Sequence, residues 1–322
     1  MAIVRMPRPP IIGRRTRLDA PDMTDRKDRL DGLAIGLMTI LCLTWGIQQV
    51  VIKIVADFVP PLLQAGIRSA GATLAVLAWM LWRRIPLLDR DGSLVPGLWA
   101  GILFGSEFAL IFYGLTLTSA SRAAILLYTA PFWVALGSHF LVPGERVRLL
   151  QWAGLGLAFL GVILTFADRL AAPQPQELLG DALMVGAAIL WAATTVLIKA
   201  SKLRLVSPYK TLLYQLAVSS LVLLAGAALF GENFDIPLTP FVIGAMGFQI
   251  FAVASVSYLA WFWMMTRYPV SRLSAFSFLT PVFGVLCGAI WLDEPISLAL
   301  LAALILVAAG IYLVNAPARA QR

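Results

Sequence analysis

Long apolar segments recur along the chain, and short groups of charged, proline and glycine residues separate them. A helix needs about 20 mostly apolar residues to cross a bilayer, and ten segments meet that requirement. The predicted spans cover residues 33–55, 61–82, 94–117, 122–142, 149–167, 181–200, 208–230, 238–265, 272–292 and 295–315. The loops between them are too short to form a domain, so the pattern predicts an all-α integral membrane protein with ten transmembrane helices.

The composition supports a lipid environment. Of the 322 residues, 60% are hydrophobic and 13% are charged, whereas soluble domains average about 45–50% and about 25%. The two cysteines, Cys42 and Cys287, lie in apolar segments and have no CxxC partner, so we expect neither a disulfide framework nor a metal site. The chain also has a single histidine, and we expect no cofactor.

The positive charges predict the orientation. Cytoplasmic loops near a membrane are enriched in lysine and arginine. If the N-terminus is cytoplasmic, 20 of the 25 basic residues fall on the cytoplasmic side and two on the other. Residues 1–32 are then a basic, disordered cytoplasmic tail, and residues 316–322 form a second cytoplasmic tail. The net positive charge would then lie against the anionic lipid of the cytoplasmic leaflet, and we expect no nucleic-acid partner.

The two halves of the chain repeat each other. The stretch "LTWGIQQVVIK" at 43–53 corresponds to "ILWAATTVLIK" at 189–199, and "FYGLTLTSASR" at 112–122 to "FWMMTRYPVSR" at 262–272. Residues 33–167 and 181–315 are therefore predicted to be two five-helix repeats. Because five is odd, the second repeat is inverted in the membrane, which is a plan typical of secondary transporters with a midplane site.

These motifs resemble the EamA-type transporters of the drug/metabolite transporter superfamily. The resemblance also rests on "TAPFWVALGSHFLVPGERV" (129–147) and "LTPVFGVLCGAIWLDEPIS" (279–297). It implies ten helices, both termini inside the cell, a bacterial inner-membrane location, and export of amino acids or related small metabolites, with the aromatic amino-acid exporters as one such branch. The second half departs from the first at Gln215, where the first has Arg68.

Polar residues in the first and sixth spans are candidates for contact with a substrate. Trp45 and Gln49 are four residues apart and share a helix face, as do Trp191 and Thr195 in the second repeat. An unpartnered polar group in hydrocarbon costs several kcal/mol, so these faces should meet protein or a cavity; packing between helices is the alternative. Lys53 and Lys199 lie near span ends, where we expect them to reach the membrane interface.

Glu107 lies mid-span, more than two helical turns from either end. A carboxyl group at that depth must be paired, protonated or in contact with water in a cavity, and ionisable groups in membranes often mark functional sites. Arg68 in the second span is a candidate partner. The residues allow two roles for Glu107, a proton-coupling group that lines the cavity or one half of a structural ion pair with Arg68.

Prolines at the centres of the fourth and ninth spans, Pro131 and Pro281, should bend their helices because proline removes a backbone donor and clashes with the preceding turn. Such bends provide either a gate or a packing kink. Tyr128 and Phe278 each precede the proline by three residues and are candidates to face the cavity.

Gln249 and Tyr258 in the eighth span complete the candidate substrate-binding set. An aromatic, weakly polar cavity suits aromatic or bulky aliphatic amino acids. The alternatives are a facilitator without proton coupling, or an exporter of drugs or other metabolites. A membrane-embedded enzyme is a remote alternative, since the chain lacks HExxH and GxSxG motifs, and the absence of charged pore rings disfavours a channel. We expect membrane lipid as the surroundings, protons as a possible coupled ion, and a monomer in preference to a dimer.

Overall fold

Helices make up the structure, a computed structural model that describes residues 27, 29–87, 91–118, 120–167, 175, 177–292 and 298–316. Most of the predicted N-terminal tail, and residues 317–322 of the C-terminal tail, therefore lie outside the described residues. A π-helix covers Phe248–Ser257 and a short 3-10 helix covers Lys202–Leu205. The α-helices are Gly32–Val55 (α1), Pro61–Trp82 (α2), Leu94–Leu117 (α3), Ala120–Leu127 (α4), Ala130–Leu141 (α5), Leu149–Thr165 (α6), Glu177–Ala200 (α7), Pro208–Leu229 (α8), Pro240–Gly247 (α9), Tyr258–Arg267 (α10), Val270–Phe276 (α11), Leu279–Leu292 (α12) and Leu298–Asn315 (α13).

The number and length of the apolar helices match a ten-span membrane protein. Eight segments of the described chain are helical, long and apolar enough to cross a bilayer. Two shorter apolar helices, Leu149–Thr165 and Leu301–Asn315, accompany them. The predicted fold class is confirmed: the chain is an all-α integral membrane protein with about ten transmembrane helices.

The fourth and ninth spans are each interrupted just before a proline. The fourth breaks between α4 and α5, where Pro131 occupies the first turn of α5. The ninth breaks between α11 and α12, two residues before Pro281. Proline has no N–H and is accommodated in a first turn but not in a helix interior, so both helices restart at these points.

The eighth span contains the π-helix, flanked by α9 and α10. Its wider winding is visible at Ser255, whose hydroxyl donates to the carbonyl of Ile250 five residues earlier, at 2.8 Å. π-Helical segments are rare and often occur at functional sites. The segment ends directly before Tyr258 and so sets the direction in which that side chain points.

Close packing pairs α6 with α13. A Cβ added to Gly310 would lie 2.5 Å from the backbone nitrogen of Ala158 and from the carbonyl oxygen of Gly154. Only glycine permits the two backbones to approach this closely. α6 and α13 therefore form a closely packed helix pair within the bundle.

The helices of the two predicted repeats interleave. α1 packs on α12, α2 on α8, and α3 lies between α7 and α8. The bundle has two ends. We call the end that carries Asp31, at the start of α1, and Asn315, at the end of α13, the termini end, and the opposite end, where α1 finishes and α2 begins, the far end.

Candidate functional site

A cavity with a volume of about 140 Å³ lies at the centre of the bundle. This is ample for several waters or part of a small organic molecule. Side chains from α1, α3, α7, α8, α10 and the fourth-span break form its wall, which is mainly aromatic and aliphatic with a few polar groups. The wall residues are Trp45, Gln48, Gln49, Ile52, Phe104, Glu107, Phe108, Ile111, Phe112, Leu115, Leu127, Tyr128, Trp191, Thr194, Thr195, Ile198, Gln215, Tyr258, Trp261 and Phe262.

Trp45 of α1 is held in place by one hydrogen bond and two ring contacts. Its indole N–H donates to the hydroxyl oxygen of Ser257 at 2.9 Å, and that hydroxyl donates to the carbonyl of Val253 at 2.6 Å. Its ring meets Tyr258 and Trp261 edge-on, with centroids 6.5 Å and 5.9 Å apart. Such edge contacts favour a fixed orientation, so α1 and the eighth span together form one rigid aromatic wall.

The opposite wall comes from α7 and the fourth-span break. Trp191 and Tyr128 meet edge-on at 6.0 Å. One turn further along α7, the Thr194 hydroxyl donates to the carbonyl of Leu190 at 2.9 Å, within its own helix. Thr194 and its neighbour Thr195 both belong to the cavity wall and add polar groups to it.

The acidic group in the wall is Glu107, at the middle of α3 and only 6% exposed. Arg68 lies within electrostatic range of it. In the described parts of the chain, however, no ion pair or hydrogen bond connects the two side chains. Arg68 instead places its guanidinium 4.2 Å from the ring centre of Phe108, the residue after Glu107.

Seven of the nine predicted substrate-binding residues lie in the cavity wall: Trp45, Gln49, Glu107, Tyr128, Trp191, Thr195 and Tyr258. The structure places the other two elsewhere. Gln249 is buried in the π-helix beside the sulfur of Met246, at 3.7 Å. Phe278 is buried against Phe132 and Phe159, with ring centroids 6.2 Å away in each case.

Several wall residues were not among the sequence candidates. Phe104, Phe108 and Phe112 form a ladder along α3, with centroids 5.0 Å and 6.3 Å apart. Their four-residue spacing was a signal that they share a face with the cavity. Gln215 of α8 is buried, and its amide nitrogen has no hydrogen-bond partner among the described residues. As a polar residue within an apolar span, it could also have been recognised from the sequence.

A buried ion pair lies at the termini end of the cavity, where Lys199 follows the wall residue Ile198. The ammonium of Lys199 donates to the carbonyls of Met265 and Tyr268, at 2.6 Å and 3.0 Å, and lies 3.4 Å from the Glu145 carboxylate. The other oxygen of Glu145 accepts from the backbone N–H of Val270 at 3.0 Å. We call these five residues the Glu145–Lys199 closure. It connects the loop before α6, the end of α7 and the loop after α10.

The closure corrects the expectation that Lys199 reaches the membrane interface. Its side chain is buried because three oxygen atoms surround the ammonium, from the end of α10 and the neighbouring loops, and they compensate for its lost hydration. The side chain of Lys53, its counterpart in the first repeat, lies outside the described side chains.

Asp31 extends the contacts at the termini end. Its carboxylate accepts from the Ala34 backbone N–H at 3.0 Å, which caps α1, and from the Tyr268 hydroxyl at 3.0 Å. The hydrogen bond from Lys27, followed by that from Ala34, lowers the pKa of Asp31 to about 2. Asp31 is therefore ionised at neutral pH and ties the start of α1 to the loop that carries the closure.

The two exposed residues of the wall lie toward the far end, although Phe112 there is buried. Ile198 and Phe262, next to the closure, are 5% and 6% exposed. Gln49 and Leu115, nearer the far end, are exposed. At the far end itself, Asp181 accepts from Thr118 at 2.7 Å and pairs with Arg122. The exposed part of the wall therefore lies on the far-end side of the cavity.

Comparison with known proteins gives consistent results. The family model for the EamA-like transporter family matches twice, over residues 32–167 and 178–316. The uncharacterized transporter YvbV of Bacillus subtilis is 29% identical over 291 residues, covering 89% of this chain and 92% of the relative. A probable amino-acid metabolite efflux pump of Escherichia coli is 27% identical, covering 88% and 94%. A solved structure, 21% identical, superposes with a TM-score of 0.75 over 88% of this chain and 98% of its own, and shares the fold.

Proposed function

Because the chain belongs to the EamA-like transporter family, we propose that it is a secondary transporter that exports amino acids or related small metabolites by alternating access. The observation that carries this proposal is a central cavity closed at one end by a buried ion pair and more exposed at the other. A molecule in such a cavity is reached from one side of the membrane at a time, and reversal of the two ends would move it across.

The proposed orientation places the termini end in the cytoplasm of a bacterium and the protein in the inner membrane. The support is the distribution of basic residues, 20 of 25 on the side of the termini. In this orientation the structure is outward-facing, with the Glu145–Lys199 closure on the cytoplasmic side. The interleaving of α1 with α12 and of α3 with α7 and α8 is what two inverted repeats, 33–167 and 181–315, would produce around a shared cavity.

The proposed cargo is an aromatic or bulky aliphatic amino acid. Trp45, Tyr128, Trp191 and Tyr258 offer ring faces and edges to an apolar side chain. The relative in Escherichia coli named as a probable amino-acid metabolite efflux pump favours the same class. Drugs and other metabolites with an apolar body remain the second candidate, because the same rings would accommodate them.

Glu107 is the proposed coupling group. It lies in the cavity wall without an ion-pair partner among the described residues, so its protonation can respond to the occupant and to the side that is open. Exchange of a proton for the cargo would then drive export. A facilitator, the alternative, would transport at a rate that does not depend on a pH gradient.

Efflux from proteoliposomes loaded with radiolabelled amino acids tests the function. We expect faster efflux of aromatic or bulky amino acids from the proteoliposomes than from liposomes without protein. The efflux rate should increase further when the outside is made acidic. The Glu107→Gln variant should lose the response to the gradient. Absence of efflux for every amino acid in the panel would overturn the substrate class, and a wild-type rate indifferent to the gradient would leave a facilitator.

A further inference from the structure

Arg68 is a buried cation whose charge is not compensated by hydrogen bonds within the described structure. The residue is 1% exposed, and all three of its guanidinium nitrogens lack a hydrogen-bond partner in the described structure. The ring of Phe108 at 4.2 Å provides a cation–π contact, which is weaker than a charge-assisted hydrogen bond. A buried cation in this condition requires an anionic partner in some state of the molecule.

The cavity is one ring away from this guanidinium. Phe108 belongs to the cavity wall, and the Arg68 guanidinium lies over its ring. Glu107, its neighbour on α3, lies in the same wall. A rotation of the Phe108 side chain would therefore open the five donors of Arg68 to the cavity beside a carboxylate, and place opposite charges next to one another on a single wall.

An α-amino acid carries the complementary pair of charges. Its carboxylate matches the fork of a guanidinium, which binds carboxylates through two parallel hydrogen bonds, and its ammonium matches a carboxylate. A zwitterion bound to both groups forms a neutral assembly, so no net charge is buried. An amine would leave Arg68 uncompensated, and a simple carboxylic acid would add negative charge beside Glu107.

We propose that Arg68 and Glu107 form a zwitterion subsite, in which the cargo carboxylate displaces the Phe108 ring from Arg68 and the cargo ammonium binds Glu107. The subsite rests on the proposed transport function and names the chemical class that it selects, a molecule with adjacent ammonium and carboxylate groups. The aromatic wall of Trp45, Tyr128 and Trp191 then holds the side chain of the cargo. In an alternative arrangement, Arg68 pairs only with Glu107 and never contacts the cargo.

Three probes on one carbon skeleton separate these arrangements: L-phenylalanine, 2-phenylethylamine, which lacks the carboxylate, and 3-phenylpropionate, which lacks the ammonium. Binding to the full chain in detergent is measured by calorimetry, and the series is repeated with leucine, isopentylamine and 4-methylpentanoate. For the wild type we expect the amino acid to bind about 10- to 100-fold more tightly than either analogue, the range for hydrogen bonds to charged groups.

The variants should lose these preferences in a crossed pattern. Arg68→Gln should bind amino acid and amine equally yet still prefer the amino acid to the carboxylic acid, and Glu107→Gln should do the reverse. Arg68→Lys should retain part of the preference. Ser69→Ala is the matched control, because Ser69 is buried on the same helix and its hydroxyl also lacks a partner; its affinities should stay within about twofold of the wild type.

Two results would overturn the subsite. Equal affinity of the wild type for amino acid, amine and carboxylic acid would reject it, while the transport proposal would stand on its efflux assay. Equal weakening of all three probes in Arg68→Gln would show that Arg68 supports the fold through Glu107 and does not contact cargo. Absence of binding in both series, together with absence of amino-acid efflux, would reject the subsite and the proposed function together.

Discussion

Lys199→Met should shift the transporter toward its cytoplasm-open state. The substitution removes the cation but keeps the length and apolar character of the side chain. Glu145, whose side chain is fully buried, would lose the ammonium that lies 3.4 Å from its carboxylate. The three oxygens that surround Lys199 in the closed state, two carbonyls and one carboxylate, would lose their donor.

The expected magnitude follows from the burial of the pair. Removal of one partner of a buried ion pair costs about 3–5 kcal/mol, because the remaining buried charge loses its counter-charge. The cost falls on the closed state, since opening of the termini end hydrates Glu145. At about 1.4 kcal/mol per tenfold, the ratio of open to closed protein should rise by about 100-fold or more. A state populated at about 1% would then reach about half of the molecules.

Accessibility of a cysteine next to the closure measures this ratio. Phe262→Cys, at a buried wall position, is introduced after replacement of Cys42 and Cys287 by serine. Inside-out vesicles are treated with a membrane-impermeant thiol reagent from the cytoplasmic side. We expect labelling at least about tenfold faster in Lys199→Met than in the parent, and a parental rate in Lys199→Arg.

Lys210→Met is the matched control. Lys210 is similarly buried at the same end and pairs with Asp91 at 2.7 Å, but it lies outside the cavity wall and the closure. Its loss should lower the melting temperature without faster labelling. Unchanged labelling in Lys199→Met, or an equal increase in Lys210→Met, would refute the reasoning that the Glu145–Lys199 closure holds the cytoplasmic side shut.

Two further substitutions test the packing and the aromatic wall. Gly310→Ala should destabilise the protein by about 1–3 kcal/mol, because the new Cβ meets the α6 backbone at 2.5 Å. Gly156→Ala, on α6 with nothing within 4 Å of the new Cβ, should not lower the melting temperature in detergent. Equal melting temperatures of the two variants would contradict the packing argument. Trp45→Phe and Ser257→Ala each remove the 2.9 Å hydrogen bond that orients the indole, and each should raise the KM for efflux by a few fold, about 0.5–1.5 kcal/mol; a KM unchanged in both would show that the bond does not shape the cavity.

Periodicity and proline chemistry were sufficient to predict the spans and the helix breaks. The apolar segments have the length a bilayer requires, and Pro131 and Pro281 lie where their spans restart. The shared face of Trp45 and Gln49 also follows from helical geometry alone, and both residues lie in the cavity wall. These features depend on local sequence, so they can be predicted without knowing which other helices pack nearby.

The contacts across the bundle could not be predicted in the same way. Lys199 lies near a helix end. Its position along the chain gave no indication that the carboxylate of Glu145, 54 residues earlier, and the carbonyls of Met265 and Tyr268 would surround it. Tyr128 and Phe278 precede equivalent prolines, yet Tyr128 lines the cavity and Phe278 packs among rings. The proposed alternating access would make the two halves differ in any one state, so a symmetric sequence pattern overstates the symmetry of the site.

The most direct test of the alternating-access account is the side from which a single cavity cysteine reacts. Gln49→Cys, at an exposed wall position, is labelled with an impermeant thiol reagent from either face of the membrane. We predict fast labelling from the outer face, which a transported amino acid slows. Labelling from the cytoplasmic face should be slow in the parent and become fast when Lys199→Met is added. Equal labelling from both faces in the parent, or none from either face in both proteins, would contradict a central cavity that opens to one side at a time.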